Sequence, residues 1–286
     1  MDSKCLNYRL TDEERNQFEE NGYFVVKNAL PTDLVESLLD ATDRIYENYG
    51  PHSGVTYQQG KIQGSENGRL NIADAISRDE RFLDLLDWPQ TFPKVVDILG
   101  WNIQLYHSHL IITPPLDEND PQNIRRLGWH QDSGRLNKDI ETSPKPRISL
   151  KVGFFLTSTN SPERGCFHVI PGKHLEDNLE LSSDHNVEHT ESTPVLADAG
   201  DAVFFDRRIW HAGGKNTSSI TRKVLFLGYS YRWLKPRDDM DVAHYMHKAD
   251  PIRQQLLGSC TTGGYGFTSP EDVDVPLKLW WSQHAG

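Results

Sequence analysis

The stretch that decides the fold and the site is Trp129-His130-Gln131-Asp132-Ser133. Residues i and i+2 of an extended segment point to the same side, so His130 and Asp132 can bind one metal ion together. A third ligand is expected from His211, in the run Phe204-Phe205-Asp206-Arg207-Arg208-Ile209-Trp210-His211. Two imidazoles and one carboxylate, with the opposite face open, suit a mononuclear iron(II) centre.

The segment that follows His211 contains a residue that we expect to bind a cosubstrate beside this centre. Asp201–Phe205 and Thr221–Tyr231 have strand composition, and the glycine, asparagine and serine residues between them indicate a turn. A hairpin that turns near Asn216-Thr217 would place His211 opposite Arg222. We expect the planar, charged fork of Arg222 to bind one carboxylate of a dicarboxylate cosubstrate.

Further stretches follow one another in a fixed order. They are His107-Ser108-His109-Leu110-Ile111-Ile112-Thr113-Pro114-Pro115, His130-Gln131-Asp132, Gly165-Cys166-Phe167-His168-Val169-Ile170-Pro171-Gly172-Lys173-His174, Gly200-Asp201-Ala202-Val203-Phe204-Phe205, and His211-Ala212-Gly213-Gly214 with Arg222-Lys223. Together with the opening Asn21-Gly22-Tyr23-Phe24-Val25-Val26, they resemble the phytanoyl-CoA dioxygenase family of iron(II)- and 2-oxoglutarate-dependent oxygenases.

The resemblance implies a mainly β fold with flanking helices, built on a double-stranded β-helix, the jelly roll of cupin-like proteins. It implies that the iron ligands are His130, Asp132 and His211. It also implies that Arg222 binds the far carboxylate of 2-oxoglutarate, and that His130 and Asp132 lie near one end of a core strand.

Other cosubstrate contacts carry over less directly from the family. His109 matches a position that lines the cosubstrate, where an imidazole could donate a hydrogen bond. A family lysine falls near Asn71, and Arg69 is close enough to replace it. Near Gly153, this chain lacks a tryptophan that the family has. At the position of Gly213, the family has a serine.

The reaction that the resemblance implies uses O2 and converts 2-oxoglutarate to succinate and CO2 while a C–H bond is hydroxylated. Related halogenases have a small residue where this chain has Asp132, so oxygen insertion is favoured over halogenation. Desaturation, epoxidation and ring formation stay open. The competing hypotheses are a cupin-type metalloenzyme without cosubstrate, which has no use for Arg222, and a catalytically silent metal- or small-molecule-binding protein on the same fold.

Composition narrows the partners. The 286 residues include 30 basic and 41 acidic side chains, a net charge of −11, and no basic run, so a nucleic-acid partner is not expected. An acidic surface also disfavours a coenzyme A thioester, although Arg125-Arg126 or Arg207-Arg208 could bind one. We expect a small-molecule substrate, a hydrophobic or amphipathic product of secondary metabolism. Loops 48–68, 115–128 and 134–146 and the tail after Lys235 are expected to determine which substrate binds.

One domain over 1–286 is expected from the length. It would comprise a helical N-terminal buttress at 10–100, a jelly-roll core at about 100–235 and a C-terminal extension at 236–286. Loops 48–68 and 115–128 are candidate lids. The three cysteines suit a reducing compartment, and neither a signal sequence nor an apolar run of membrane-spanning length is present, so a cytoplasmic protein is expected.

Overall fold

The computed structural model of the chain describes residues 1–49, 68–116, 128–180, 182 and 188–285, and the backbone of 62–64. The candidate lids 48–68 and 115–128 and the pair Arg125-Arg126 lie largely or wholly outside the described residues. Within the described part, no helix has the length and apolar character needed to cross a membrane.

The described residues form ten strands in two antiparallel sheets. The strands are β1 (Tyr23–Val26), β2 (Ile62–Gly64), β3 (Leu70–Ala73), β4 (Ile103–Thr113), β5 (Ser149–Phe155), β6 (Phe167–Val169), β7 (Thr193–Val195), β8 (Ala202–Asp206), β9 (His211–Gly213) and β10 (Arg222–Tyr231). The large sheet has the order β1-β8-β5-β10-β4-β3-β2, and the small sheet has the order β7-β6-β9.

Six α-helices accompany the sheets: α1 (Asp12–Asn21), α2 (Thr32–Tyr49), α3 (Phe92–Leu99), α4 (Gly134–Asp139), α5 (Pro251–Leu256) and α6 (Pro276–His284). Helix α1 begins at a capping box in which Thr11 and Glu14 satisfy each other's backbone N–H groups. It ends at Gly22, whose φ of +80° is readily adopted only by glycine. These caps direct the chain into β1 at the edge of the large sheet.

Strand alternation divides the large sheet into two faces. On one face, Leu150, Val152 and Phe154 of β5 pack with residues of α2, α3 and α5 in the main hydrophobic core. On the other face, Phe155 of β5 packs with Phe167 of the small sheet in a second core. The small sheet therefore covers the inner face of the large one. This arrangement confirms the predicted mainly β jelly roll with helices outside it.

The predicted hairpin between His211 and Arg222 is wrong. Strand β9 pairs with β6 in the small sheet, whereas β10 pairs with β4 and β5 in the large sheet. The intervening residues 214–221 cross between the sheets, and the buried side chain of Asn216 fixes the crossing by donating to the carbonyls of Thr113 and Ile220 at 2.9 and 2.8 Å. His211 and Arg222 thus approach one cavity from opposite sheets.

The N-terminal region is less purely helical than predicted. It supplies β1 to one edge of the large sheet and β2 and β3 to the other edge. The missed strand β3 is only four residues long, and its sequence Leu-Asn-Ile-Ala resembles many loops. Its pairing with β4 stabilises it. The division of the chain into a single domain stays a prediction.

The turn after β8 is held by a buried carboxylate. Asp206 is fully buried and accepts hydrogen bonds from the Arg208 side chain at 2.8 and 2.7 Å and from Arg147 Nε at 2.8 Å. Arg207 is also fully buried and donates to Asn137 and to the carbonyl of Pro146. The suggestion that Arg207-Arg208 binds a coenzyme A phosphate is therefore wrong, because both guanidinium groups stabilise the fold.

Replacing Asp206 with asparagine is expected to lower the free energy of unfolding by about 3 kcal/mol, because the change leaves buried arginine charge without its counter-charge. The matched control is Asp198→Asn, since the side chain of Asp198 is 56% exposed, and it should cost less than about 0.5 kcal/mol. Urea denaturation of both variants measures the difference. Equal stability of the two variants contradicts the role given to Asp206.

Candidate active site

His130, Asp132 and His211 lie together in the structure. Their potential ligand atoms are all within 4.8 Å of one another, and no other group of this kind occurs among the described residues. His130 and His211 form an antiparallel bridge through two backbone hydrogen bonds of 3.1 and 3.0 Å. The Asp132 N–H donates to the carbonyl of Arg207 at 2.9 Å. The His130–Asp132 segment lies outside the core strands, and only His130 among its residues forms a bridge, contrary to the expectation of an extended core strand.

Both imidazoles have the orientation that a metal ligand needs. Nδ1 of His130 donates to the carbonyl of Gly128 at 2.7 Å, and Nδ1 of His211 donates to the carbonyl of Ile209 at 2.9 Å. These bonds leave each Nε2 with a free lone pair. Burial lowers the pKa of His211 to about 3, so its imidazole is neutral at physiological pH.

Asp132 is paired with Lys151, a residue that the sequence analysis did not single out. Asp132 Oδ2 lies 2.8 Å from Lys151 Nζ, and both side chains are less than one-tenth exposed. Burial alone would raise the pKa of Asp132, but the charge of Lys151 outweighs burial and holds the pKa well below its usual range. The carboxylate is ionised, and Oδ1 remains for a metal ion.

Arg222 is buried in the same cavity. Its Nη1 donates to the carbonyl of Gly165 and its Nη2 donates to Thr113 Oγ1 at 3.2 Å, while Nε has no hydrogen-bond partner. None of these described partners is a carboxylate. Burial, assisted by the nearby charge of Arg69, lowers the pKa of Arg222 to about 10, so the guanidinium stays charged at neutral pH. A buried cation of this kind favours an anionic ligand.

The other three predicted positions line the same cavity. Arg69, Asn71 and His109 are all part of its wall. His109 Nε2 donates to Asn71 Oδ1. This nitrogen therefore binds a protein side chain in place of the cosubstrate that it was expected to contact. Arg69 approaches Arg222 closely enough to affect its pKa. The two arginines together make this end of the cavity strongly cationic.

The cavity has a volume of about 430 Å³, and part of its wall is aromatic. The rings of Phe155, Phe167, Phe205 and Phe226 line it. A side chain at Gly153, where the family has tryptophan, would collide with Phe226, because a Cβ built there lies 2.7 Å from the Phe226 ring. Phe226 therefore fills the space that position 153 leaves. The resulting volume is small enough that a cosubstrate and the reacting part of a substrate would fill it.

The donor set fits a divalent iron ion. Two neutral imidazoles with free Nε2 atoms and one ionised carboxylate supply mixed nitrogen and oxygen ligands on one side of the cavity. Such a set leaves coordination positions open on the cavity side, which is the arrangement of non-haem iron(II) oxygenases. The site can thus support metal-dependent oxidation of a bound small molecule.

Comparison with known proteins agrees with this chemistry. A phytanoyl-CoA dioxygenase (PhyH) family model matches residues 18–224. The human peroxisomal phytanoyl-CoA dioxygenase is 24% identical, with 77% of this chain and 68% of that protein covered. An uncharacterized protein of Mycobacterium tuberculosis is also 24% identical, over 89% of each chain.

Among solved structures, HygX from Streptomyces hygroscopicus, crystallised with nickel and 2-oxoglutarate bound, is similar in fold. The TM-score is 0.61 at 16% identity, and the similarity covers 80% of this chain and 90% of that chain. The family model spans far more than half of the sequence and includes the whole segment from His130 to Arg222. The chain belongs to the phytanoyl-CoA dioxygenase family of iron(II)- and 2-oxoglutarate-dependent dioxygenases, which use O2.

Proposed function

We propose that the protein hydroxylates an unactivated C–H bond of a small-molecule metabolite, with release of succinate and CO2. One observation carries the proposal. A buried arginine with no carboxylate among its described partners, Arg222, lines the same cavity as a group of two histidines and one aspartate. This pairing is what a metal-chelating keto diacid requires, since one end binds a metal and the other end a cation.

His130, Asp132 and His211 would hold the iron(II) ion. When bound, iron(II) supplies the activation of O2 that couples oxidative decarboxylation of 2-oxoglutarate to substrate oxidation. Lys151 keeps Asp132 ionised and occupies its Oδ2, which favours ligation through the other oxygen. The hydrogen bonds from the Nδ1 atoms to the carbonyls of Gly128 and Ile209 keep both imidazoles in the ligating tautomer.

Arg222 would bind the far carboxylate of 2-oxoglutarate. Thr113 and the Gly165 carbonyl hold the guanidinium from two sides, so little side-chain entropy remains to be lost when the anion binds. Arg69 adds a second positive charge near Arg222. The cosubstrate would then extend from the metal ligands towards the Arg222 end of the cavity.

The aromatic wall would position the substrate and exclude water. Phe167 and Phe205 lie 5.3 and 5.5 Å from the His211 ring, measured between ring centroids. Apolar side chains this close to the metal ligands favour a hydrocarbon segment of the substrate there, because polar groups would lose hydration without gaining partners. A hydrophobic or amphipathic metabolite fits this environment, with the oxidised carbon beside the rings.

Turnover of labelled 2-oxoglutarate tests the proposed function directly. Anaerobically purified protein given iron(II), labelled 2-oxoglutarate and O2 should release labelled succinate, at a rate that the true substrate increases. A screen of metabolites under 18O2 should give a product that carries one 18O atom, with the other 18O atom in succinate. Absence of succinate in every condition would indicate a cosubstrate-independent metalloenzyme or a silent binding protein.

Replacing His130 with alanine is expected to weaken Mn²⁺ binding by at least about a hundredfold. Loss even of an outer partner of a metal ligand costs 10- to 100-fold in affinity. His130 is exposed, so the change should leave folding intact. Calorimetric titration with Mn²⁺ measures the affinity, and His247→Ala, a change at an exposed histidine outside the cavity, is the control. Equal affinities in the two variants would exclude His130 as a ligand.

Replacing Arg222 with glutamine is expected to raise the dissociation constant for 2-oxoglutarate by about two orders of magnitude, because a buried ion pair with the far carboxylate is lost. Mn²⁺ affinity should change by less than about twofold, since Arg222 is not among the three ligands. Arg222→Lys keeps the charge without the fork and should give an intermediate value.

The matched control for Arg222 is Arg135→Gln, whose side chain is 84% exposed and paired with Asp139. It should bind 2-oxoglutarate as the parent protein does. An Arg222→Gln protein that binds Mn²⁺ normally and 2-oxoglutarate with unchanged affinity refutes the role of Arg222.

A further inference from the structure

The cavity carries more positive charge than the cosubstrate needs. Four cationic side chains are among the described residues that line it, and Asp132 is the one anionic side chain among them; the cations are Arg69, Lys151, Arg222 and Arg237. This excess lies inside a protein whose net charge is −11. One 2-oxoglutarate dianion would leave this set with a net charge of +1, and a bound iron(II) ion would raise that charge to +3.

Arg237 is held in the cavity wall by a chain of hydrogen bonds. His107 is fully buried, and its Nδ1 lies 2.8 Å from Oδ1 of Asp238. Because a carboxylate only accepts, Nδ1 donates, and Nε2 is left to accept from Arg237 Nη1 at 3.3 Å. Burial lowers the pKa of His107, which favours the neutral imidazole that this pattern requires.

The backbone of this segment is anchored as well. Arg237 N donates to the carbonyl of Tyr106 at 2.8 Å, and Asp238 Oδ2 accepts from the N–H groups of Ser108 and Asp74 at 2.7 and 3.1 Å. The guanidinium is therefore placed by contacts with the core, although Arg237 itself is exposed. No carboxylate forms an ion pair with it within the described part of the chain.

Strand register places Lys151 level with His107, the residue that Arg237 contacts, and away from Arg222. His107, Gly228 and Lys151 form one row across β4, β10 and β5, so His107 and Lys151 are roughly 10 Å apart in the backbone. Arg222 pairs with Thr113, six residues along β4 from His107, which corresponds to roughly 20 Å. The cavity thus has two cationic ends, one at Arg222 and one at Lys151 and Arg237, and Lys151 at the second end contacts Asp132.

A single cosubstrate cannot occupy both ends. If 2-oxoglutarate extends from the metal ligands to Arg222, the space between the metal ligands and Arg237 is left for the substrate. Lys151 uses one of its three N–H donors for Asp132 and retains two. Arg237 and Lys151, here called the Arg237–Lys151 pair, thus face the substrate side of the cavity.

We propose that the substrate carries an oxyanion, a carboxylate or a phosphate group, which the Arg237–Lys151 pair binds while the aromatic wall holds the adjoining hydrocarbon. This inference rests on the proposed function, because the orientation of 2-oxoglutarate decides which end is free. It makes the substrate an amphipathic acid, with the oxidised carbon between the anion and the phenylalanine rings. Arg237 then determines specificity by selecting the charged end.

The test measures binding of matched probes to the full chain loaded with Mn²⁺ and 2-oxoglutarate. Hexanoate, hexanamide and hexyl phosphate share a hydrocarbon and differ in the head group. Calorimetry or ligand-observed NMR should show that hexanoate, hexyl phosphate or both bind at least about tenfold more tightly than hexanamide. The anion that binds more tightly distinguishes a carboxylic acid from a phosphate ester as the natural class.

Arg237→Gln should remove this preference and leave the 2-oxoglutarate affinity unchanged, whereas Arg237→Lys should retain part of it. Arg44→Gln, a change at an arginine that is 58% exposed and does not line the cavity, should preserve both properties. Equal binding of hexanoate, hexyl phosphate and hexanamide, including no binding by any of them, overturns the inference. The inference is also overturned if the Arg237→Gln protein keeps the preference for the anionic probes but no longer binds 2-oxoglutarate. A parent protein that binds no 2-oxoglutarate contradicts the proposed function, and the probes are then compared with Mn²⁺ alone.

Discussion

The site depends on the backbone bridge between His130 and His211. Two hydrogen bonds between these residues join the His130 segment to a strand of the small sheet. Residues that exchange both backbone bonds lie directly opposite each other, and here the ring centroids are 4.2 Å apart. The bridge therefore sets the separation of the two histidines through the backbone alone, and the bond from Asp132 N to the Arg207 carbonyl holds the aspartate of the same group close to them.

Charge is the second constraint on this cavity. Burying Lys151 and Arg222 costs solvation energy, and only Lys151 regains it from a carboxylate among the described residues. The fold tolerates Arg222 because carbonyl and hydroxyl oxygens accept two of its donors. An anion that binds there restores the missing counter-charge, so ligand binding and stability of the folded state are linked. Arg222, which has no carboxylate among its described partners, is therefore already positioned to bind an anion.

The sequence predicted the ligands better than it predicted how they meet. His130, Asp132 and His211 follow from motif spacing and resemblance, and the structure brings them together. Arg222 reaches the cavity by crossing from one sheet to the other, because strand composition does not show which sheet a strand joins. Lys151 was missed, although a lysine alternating with Leu150 and Val152 is a signal of an inward-facing charge. Arg237 lies in a polar tail where only tertiary contacts reveal its partner.

An anaerobic crystal structure of the protein with iron(II) and 2-oxoglutarate tests the central claim most directly. The account predicts an iron ion bound by Nε2 of His130, Nε2 of His211 and a carboxylate oxygen of Asp132, with the far carboxylate of 2-oxoglutarate on Arg222. An ion bound by other residues, or a 2-oxoglutarate carboxylate bound by Arg237 in place of Arg222, would contradict it.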